Sequence, residues 1–272
     1  MDSEEHQRLR DLLALLDGAV RLEGFRDSPS SPQPWQVHPG SELSVDDART
    51  DPFHVSHAAW VALTTAVDHL QALRSTLIRE ESPSAVSAVL HTHAQCSLVR
   101  GVIENGARAV WLLGPDFRPL RIERRLALQV KDVKSSTKMH ERMGATPPRP
   151  QTVRLAELEH LALAAGTPAD KVKEALASPQ YTDIVREAGE HSGLGAAAEV
   201  IWSACSSLAH GDLSGTVGLL RREVVATEGN VQLTRITGAF SMLHDMTKGA
   251  IAMLEHGFVL YGQRATTTHW PK

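Results

Sequence analysis

Residues 91–113, HTHAQCSLVRGVIENGARAVWLL, constrain the fold more than any other part of the chain. At about 100° per residue, His93, Ser97, Arg100, Glu104, Arg108 and Trp111 fall within an arc of about 80°. Leu98, Val99, Val102, Ile103, Val110 and Leu113 cover the rest of the circumference. An ordinary surface helix has a broad polar half, whereas this one is apolar most of the way round with one narrow polar stripe. Such a helix belongs inside a bundle, where its stripe has to find partners.

The segment 194–210, LGAAAEVIWSACSSLAH, repeats the pattern. Glu199, Ser203, Ser206 and His210 share one narrow stripe, while Val200, Ile201, Ala204, Cys205 and Leu208 lie away from it. Two buried helices with one polar stripe each are most simply accommodated by facing the stripes toward each other. The expected site is then His93, Arg100, Glu104 and Arg108 against Ser203, Ser206 and His210. Arg100–Glu104 is a favourable i, i+4 pair. Two meanings stay open for this cluster. It is a buried network that fixes helix register, or it is a cleft in which His210 moves a proton, Glu104 assists and Arg100 holds an anion, with His93, Ser203, Ser206 and Arg108 as binding groups.

The rest of the chain is read as helix with breaks. Residues 1–23 form an N-terminal helix, and 24–55, rich in Pro, Ser and Asp, form a loop or linker. Residues 56–262 form the bundle domain and 263–272 a tail. Within the bundle, Pro83 is placed at the start of the helix that contains 91–113. Alternation around Glu228-Gly229-Asn230 suggests one small β-hairpin near 221–236. The expected fold class is all-α, a multi-helix bundle with that hairpin. Scarce aromatics, 4% of the chain, and the abundance of Ala and Leu support helix over sheet.

Charge is uneven. Residues 1–54 hold eleven acids against five bases, and 118–154 hold ten bases against three acids. The basic helix 118–142 is either a solvated face or a surface for RNA or a nucleotide. The overall charge of −4 argues against a protein that coats DNA. No apolar run approaches about 20 residues, so no membrane partner is expected. Acids stand near the start where a signal peptide would carry bases. Cys96 and Cys205, both in apolar settings, read as buried reduced thiols, which suits a cytoplasmic setting.

Fourteen His residues raise the question of a metal, but no His-Glu-x-x-His or Cys-x-x-Cys occurs. Glu157-x-x-His160 stands alone where a dimetal bundle needs two such pairs. No metal and no cofactor are expected. Phosphate-binding glycine loops and a Gly-x-Ser-x-Gly elbow are absent too.

SLVRGVIENGARAVWLL, SPQYTDIVREAGEHSG and IWSACSSLAHG together resemble a family of actinobacterial all-helical proteins without an assigned activity. The likeness spans roughly 60–262. That family is distantly similar to HEPN-type domains, which include metal-independent ribonucleases of toxin and defence systems as well as non-catalytic binders. The resemblance implies an RNA- or nucleotide-directed protein acting as a homodimer, with a helical binding or scaffold protein as the alternative. The HEPN ribonuclease signature places Arg before His with four to six residues between them. Before His210 those positions are Ser203, Ala204 and Cys205, so the chain departs from the pattern. The spacing occurs at Arg49–His54, Arg154–His160, Arg186–His191 and Arg264–His269, as chance allows in a chain with this many His and Arg.

Overall fold

A computed structural model describes residues 3–24, 35–82 and 85–266. Among them are eleven α-helices and two antiparallel two-stranded sheets, so the chain is an all-α bundle with a small hairpin near the expected place. The helices are α1 (Ser3–Ala19), α2 (Glu42–Thr50), α3 (Val55–Leu77), α4 (Ala94–Leu113), α5 (Arg118–Arg142), α6 (Gln151–Ala164), α7 (Val172–Ala175), α8 (Tyr181–Ser192), α9 (Ala196–His210), α10 (Leu213–Leu219) and α11 (Phe240–Ala265). Strands β1 (Ile78–Ser82) and β2 (Ala85–Ala88) pair between α3 and α4, and β3 (Arg221–Glu228) and β4 (Val231–Thr237) pair between α10 and α11.

Helix α4 is the axis of the molecule, packed by α3, α11, α9 and α8. Val99, Val102, Ile103, Val110, Leu112 and Leu113 are at most 1% exposed. Each such side chain contributes about 1.5–3 kcal/mol by leaving water, enough to bury the polar stripe beside them once that stripe is hydrogen-bonded. The approach of α11 is close because glycines line it. A Cβ on Gly106 would stand 3.2 Å from the backbone nitrogen of Leu254, and one on Gly257 would stand 2.9 Å from Leu63 Cδ2. A smaller apolar cluster joins α5, α6 and α7 through Ile122, Leu126, Val130, Leu158 and Leu176. The first and last helices are tied together, since the Phe240 backbone N–H at the start of α11 donates to Glu5 Oε2 at 3.0 Å.

Three segment readings are corrected. The stretch 24–55 is not all loop, because α2 lies in it. Ser41 caps α2 by accepting from Ser44 N at 3.2 Å, a local signal that outweighs the Pro- and Ser-rich surroundings. The helix containing the polar stripe starts at Ala94, not at Pro83, because 78–82 pair with 85–88 as strands instead; Pro83 itself lies outside the described residues. The tail is also shorter than expected, since α11 continues to Ala265 and ends next to Thr266. Residues 267–272 lie outside the described residues. No helix among the described residues is long and apolar enough to cross a membrane.

Candidate functional site

Most of the polar stripe of α4 finds partners on neighbouring elements, while the buried Nε atoms of Arg100 and Arg108 make no hydrogen bond. His93, which precedes the first turn, points its ring Nδ1 at the Leu208 carbonyl, 2.9 Å away. A carbonyl can only accept, so Nδ1 carries a proton and donates it to this contact. Arg100 Nη1 lies 3.4 Å from His210 Nε2. Its Nε sits 3.3 Å from Glu104 Oε2, an ion pair without hydrogen-bond alignment. Glu104 Oε2 also accepts from Trp202 Nε1 at 2.9 Å, and the Arg100 guanidinium lies 5.7 Å from the Trp202 ring centre. Residue 93 meets 208 while 104 meets 202, so α4 and α9 run antiparallel with their polar groups in contact.

The two stripes do not face each other squarely. Ser203 is exposed and, with Glu199, Val200 and Ser207, lines a 530 Å³ groove between α9 and α10 on another side of α9. Ser206 is half-buried and forms no hydrogen bond with Arg100 or His210. Thus His93, Arg100, Glu104 and His210 come together as expected, and Ser203 is displaced. The reason is rotation. The core takes Ala198, Cys205 and Leu208, which turns the middle of the α9 stripe outward and brings its edge, with Trp202, against α4. Trp202 was the residue missed; its single N–H donor, three positions from Glu199, was the available signal.

Lower on α4 the stripe meets α8 and α5. Trp111 Nε1 donates to Glu187 Oε2 at 3.1 Å. Arg124 donates to the same Glu187 oxygen and to the Trp111 carbonyl, with its guanidinium 4.6 Å from the Trp111 ring centre. The end of α4 lies inside the protein, where its last carbonyls have no helical donor. Arg264 donates to the carbonyls of Leu113 and Gly114, and His191 Nε2 lies 3.0 Å from the Gly114 carbonyl. The His191 proton is thereby on Nε2, and its Nδ1 accepts from His256 Nε2 at 2.9 Å. Burial and the adjacent His191 hold His256 below the usual histidine value. A 440 Å³ cleft opens here, lined among others by Trp111, Pro115, Arg124, Glu187 and His191.

Helix α5 is neither a plain solvated face nor a free basic surface. Arg121 is 1% exposed and bonds Asp46, itself 0% exposed, at 2.7 Å. Arg118 also bonds Asp46 at 2.9 Å, and Arg264 pairs with Glu42 and Asp116. The first half of the basic helix therefore holds α2 in place, leaving Lys134, Lys138 and Arg142 exposed toward its end.

Cys96 and Cys205 are reduced and buried. The Cys205 thiol is pushed upward by its hydrogen-bonding neighbour Cys96 and by burial, which makes it a poor nucleophile. Among the described residues, no three of His, Cys, Asp and Glu gather to hold a metal ion. Set against family models, curated proteins and solved structures, the chain finds no match in any of the three.

Proposed function

We propose that the chain is a HEPN-like, RNA- or nucleotide-directed protein, and that its Arg100–His210 pair is the centre of a metal-independent ribonuclease activity of the toxin or defence kind. The observation that carries this reading is the contact between the Arg100 guanidinium and the ring of the exposed His210. The HEPN signature brings Arg to His along one helix. Here α4 supplies from across the helix contact the Arg that is missing before His210 in sequence. An N–H of Arg100 can only donate, so in the neutral ring Nε2 accepts and Nδ1 carries the proton. In this chemistry the substrate phosphate draws the Arg100 guanidinium off Nε2, and the freed Nε2 lone pair takes the proton of a ribose 2′-hydroxyl as that oxygen attacks the adjacent phosphorus. Arg100 stabilises the charge growing on the phosphoryl oxygens, the P–O5′ bond breaks to leave a 2′,3′-cyclic phosphate, and the ring returns the proton it took to the departing 5′-oxygen. Glu104, held by Arg100 and Trp202, acts as a positioning group. The homodimer, contacts of RNA with the exposed end of α5 and a cytoplasmic setting belong to the same proposal.

The test is cleavage of single-stranded RNA in the presence of a chelator. His210→Ala and Arg100→Ala should each lower the rate by about 10²-fold or more. Cleavage that is undiminished in both variants overturns the reading. A second reading, a non-catalytic binding or scaffold protein, is favoured by the commitment of Glu104 to Trp202. It is the one sustained if the wild-type protein cleaves no RNA and both substitutions only lower the melting temperature.

A further inference from the structure

The smaller apolar cluster shared by α5, α6 and α7 does not fill the space between its helices. A 320 Å³ cavity opens there, with Val130, Leu155, Val172 and Leu176 of that cluster on its wall. Lys134 follows Val130 by four residues on α5, and Glu159 follows Leu155 by four on α6. That spacing puts each charge on the same helix face as its apolar neighbour, and both charges line the cavity. Lys173 on α7 and Ser178 beyond it line it too.

Two parts of this lining lack partners. Lys134 and Lys173 are exposed and form no ion pair or hydrogen bond among the described residues, whereas the adjacent Lys171 pairs with Glu174 at 3.2 Å. The Ser178 hydroxyl oxygen is buried and has no hydrogen-bond partner. Buried polar atoms are nearly always bonded. A serine redirects its hydroxyl by turning about one side-chain torsion, so an acceptor inside the cavity supplies what the protein does not.

Charge and apolarity together sort the occupants. Lys134 and Lys173 against Glu159 leave the lining with a surplus of one positive charge. This suits a singly charged anion better than a dianion, whose second charge would be left facing Glu159. A bare ion would leave the Val and Leu side chains against water, while an apolar body covers them and itself leaves water. The lysine stems extend the apolar wall and carry their ammonium groups toward solvent, where a charged head would sit.

We infer that the cavity between α5, α6 and α7 binds a small amphiphilic carboxylate. Its apolar body lies on Val130, Leu155, Val172 and Leu176, its carboxylate pairs with Lys134 and Lys173, and Ser178 adds a hydroxyl donor. The site shares no residue with the Arg100–His210 pair, so it holds whether or not the chain cleaves RNA.

The experiment is calorimetric titration of the full chain at low salt and neutral pH with octanoate, phenylacetate, acetate, octanol and octyl phosphate, each below its aggregation concentration. Octanoate or phenylacetate should bind saturably at one site per chain. The tighter of the two assigns an aliphatic or an aromatic body. Acetate, without the body, and octanol, without the charge, should not bind. Lys134→Gln and Lys173→Gln should each weaken the bound acid at least tenfold, while Lys248→Gln, exposed on α11 and outside the cavity lining, leaves it unchanged. Ser178→Ala should weaken it about fivefold without lowering the ligand-free melting temperature, since its hydroxyl has no bond to lose. Absence of saturable binding by both acids overturns the site, as does affinity unchanged in both lysine variants. Octanol binding as well as octanoate, or octyl phosphate binding at least tenfold tighter, overturns the carboxylate. A lowered ligand-free melting temperature in Ser178→Ala overturns the hydroxyl as a donor to the ligand.

Discussion

Asp46 has no exposed surface and accepts from both Arg118 and Arg121, which ties α2 to the start of α5. Removing one partner of a buried ion pair leaves the other charge stranded. Asp46→Ala should therefore cost about 3–5 kcal/mol in urea unfolding, while the double change Asp46→Leu, Arg121→Met should recover most of that loss. A loss below about 1 kcal/mol would mean that water reaches Arg121. Nothing in the sequence joins these residues, because 75 positions separate them and α2 itself was hidden by its setting. The α4 stripe was legible for the opposite reason. Its spacing is internal to one helix, so residue periodicity alone placed Arg100, Glu104 and Arg108 on a common face. Their partners were legible only in part: His210 was found, whereas Trp202 was not, because periodicity locates a face but not how far a neighbouring helix is rotated.

At the scale of elements, the junction of α4, α8 and α11 is held by the His256–His191–Gly114 chain of hydrogen bonds. His256 is held below its ordinary 6.5, first by burial and then by His191, so the folded state prefers the neutral ring. The unfolded chain then binds more protons in the window that begins near 6.5 and extends down to the folded value. This contribution is complete above that window and is lost as the pH falls through it. Unfolding free energy measured between pH 7.5 and 5 (about the span in which histidines titrate) should decline, and His256→Gln should flatten the decline while still donating to His191. An equally steep profile in the variant would place the titrating group elsewhere. Helix boundaries were legible where capping or glycine is local. The β1–β2 hairpin was not, because a proline after a polar run suits a helix start and a turn alike, and only the pairing of 78–82 with 85–88 decides between them.

Across the whole molecule, stability is uneven. Every residue of β3 is exposed, and Val231 and Leu233 on β4 are open to solvent. A hairpin of two strands is marginal by itself. In hydrogen exchange the β3–β4 amides should exchange by local opening, whereas those of Val102 to Val110 in α4 should exchange only through global unfolding. Equal protection of the two would show that another surface, such as a second copy, covers the hairpin. The class of fold was legible in the composition and periodicity, but the central position of α4 depends on close approaches to α3 and α11 that arise only once the helices are packed.

Those approaches limit how the molecule can respond to a ligand. With Gly106 set against the α11 backbone and the final carbonyls of α4 hooked by Arg264 and His191, the central rod has no free stroke along its length. A ligand arriving beside α4 would have to be registered through side-chain rotamers and the helices around it, with α4 serving as the fixed post.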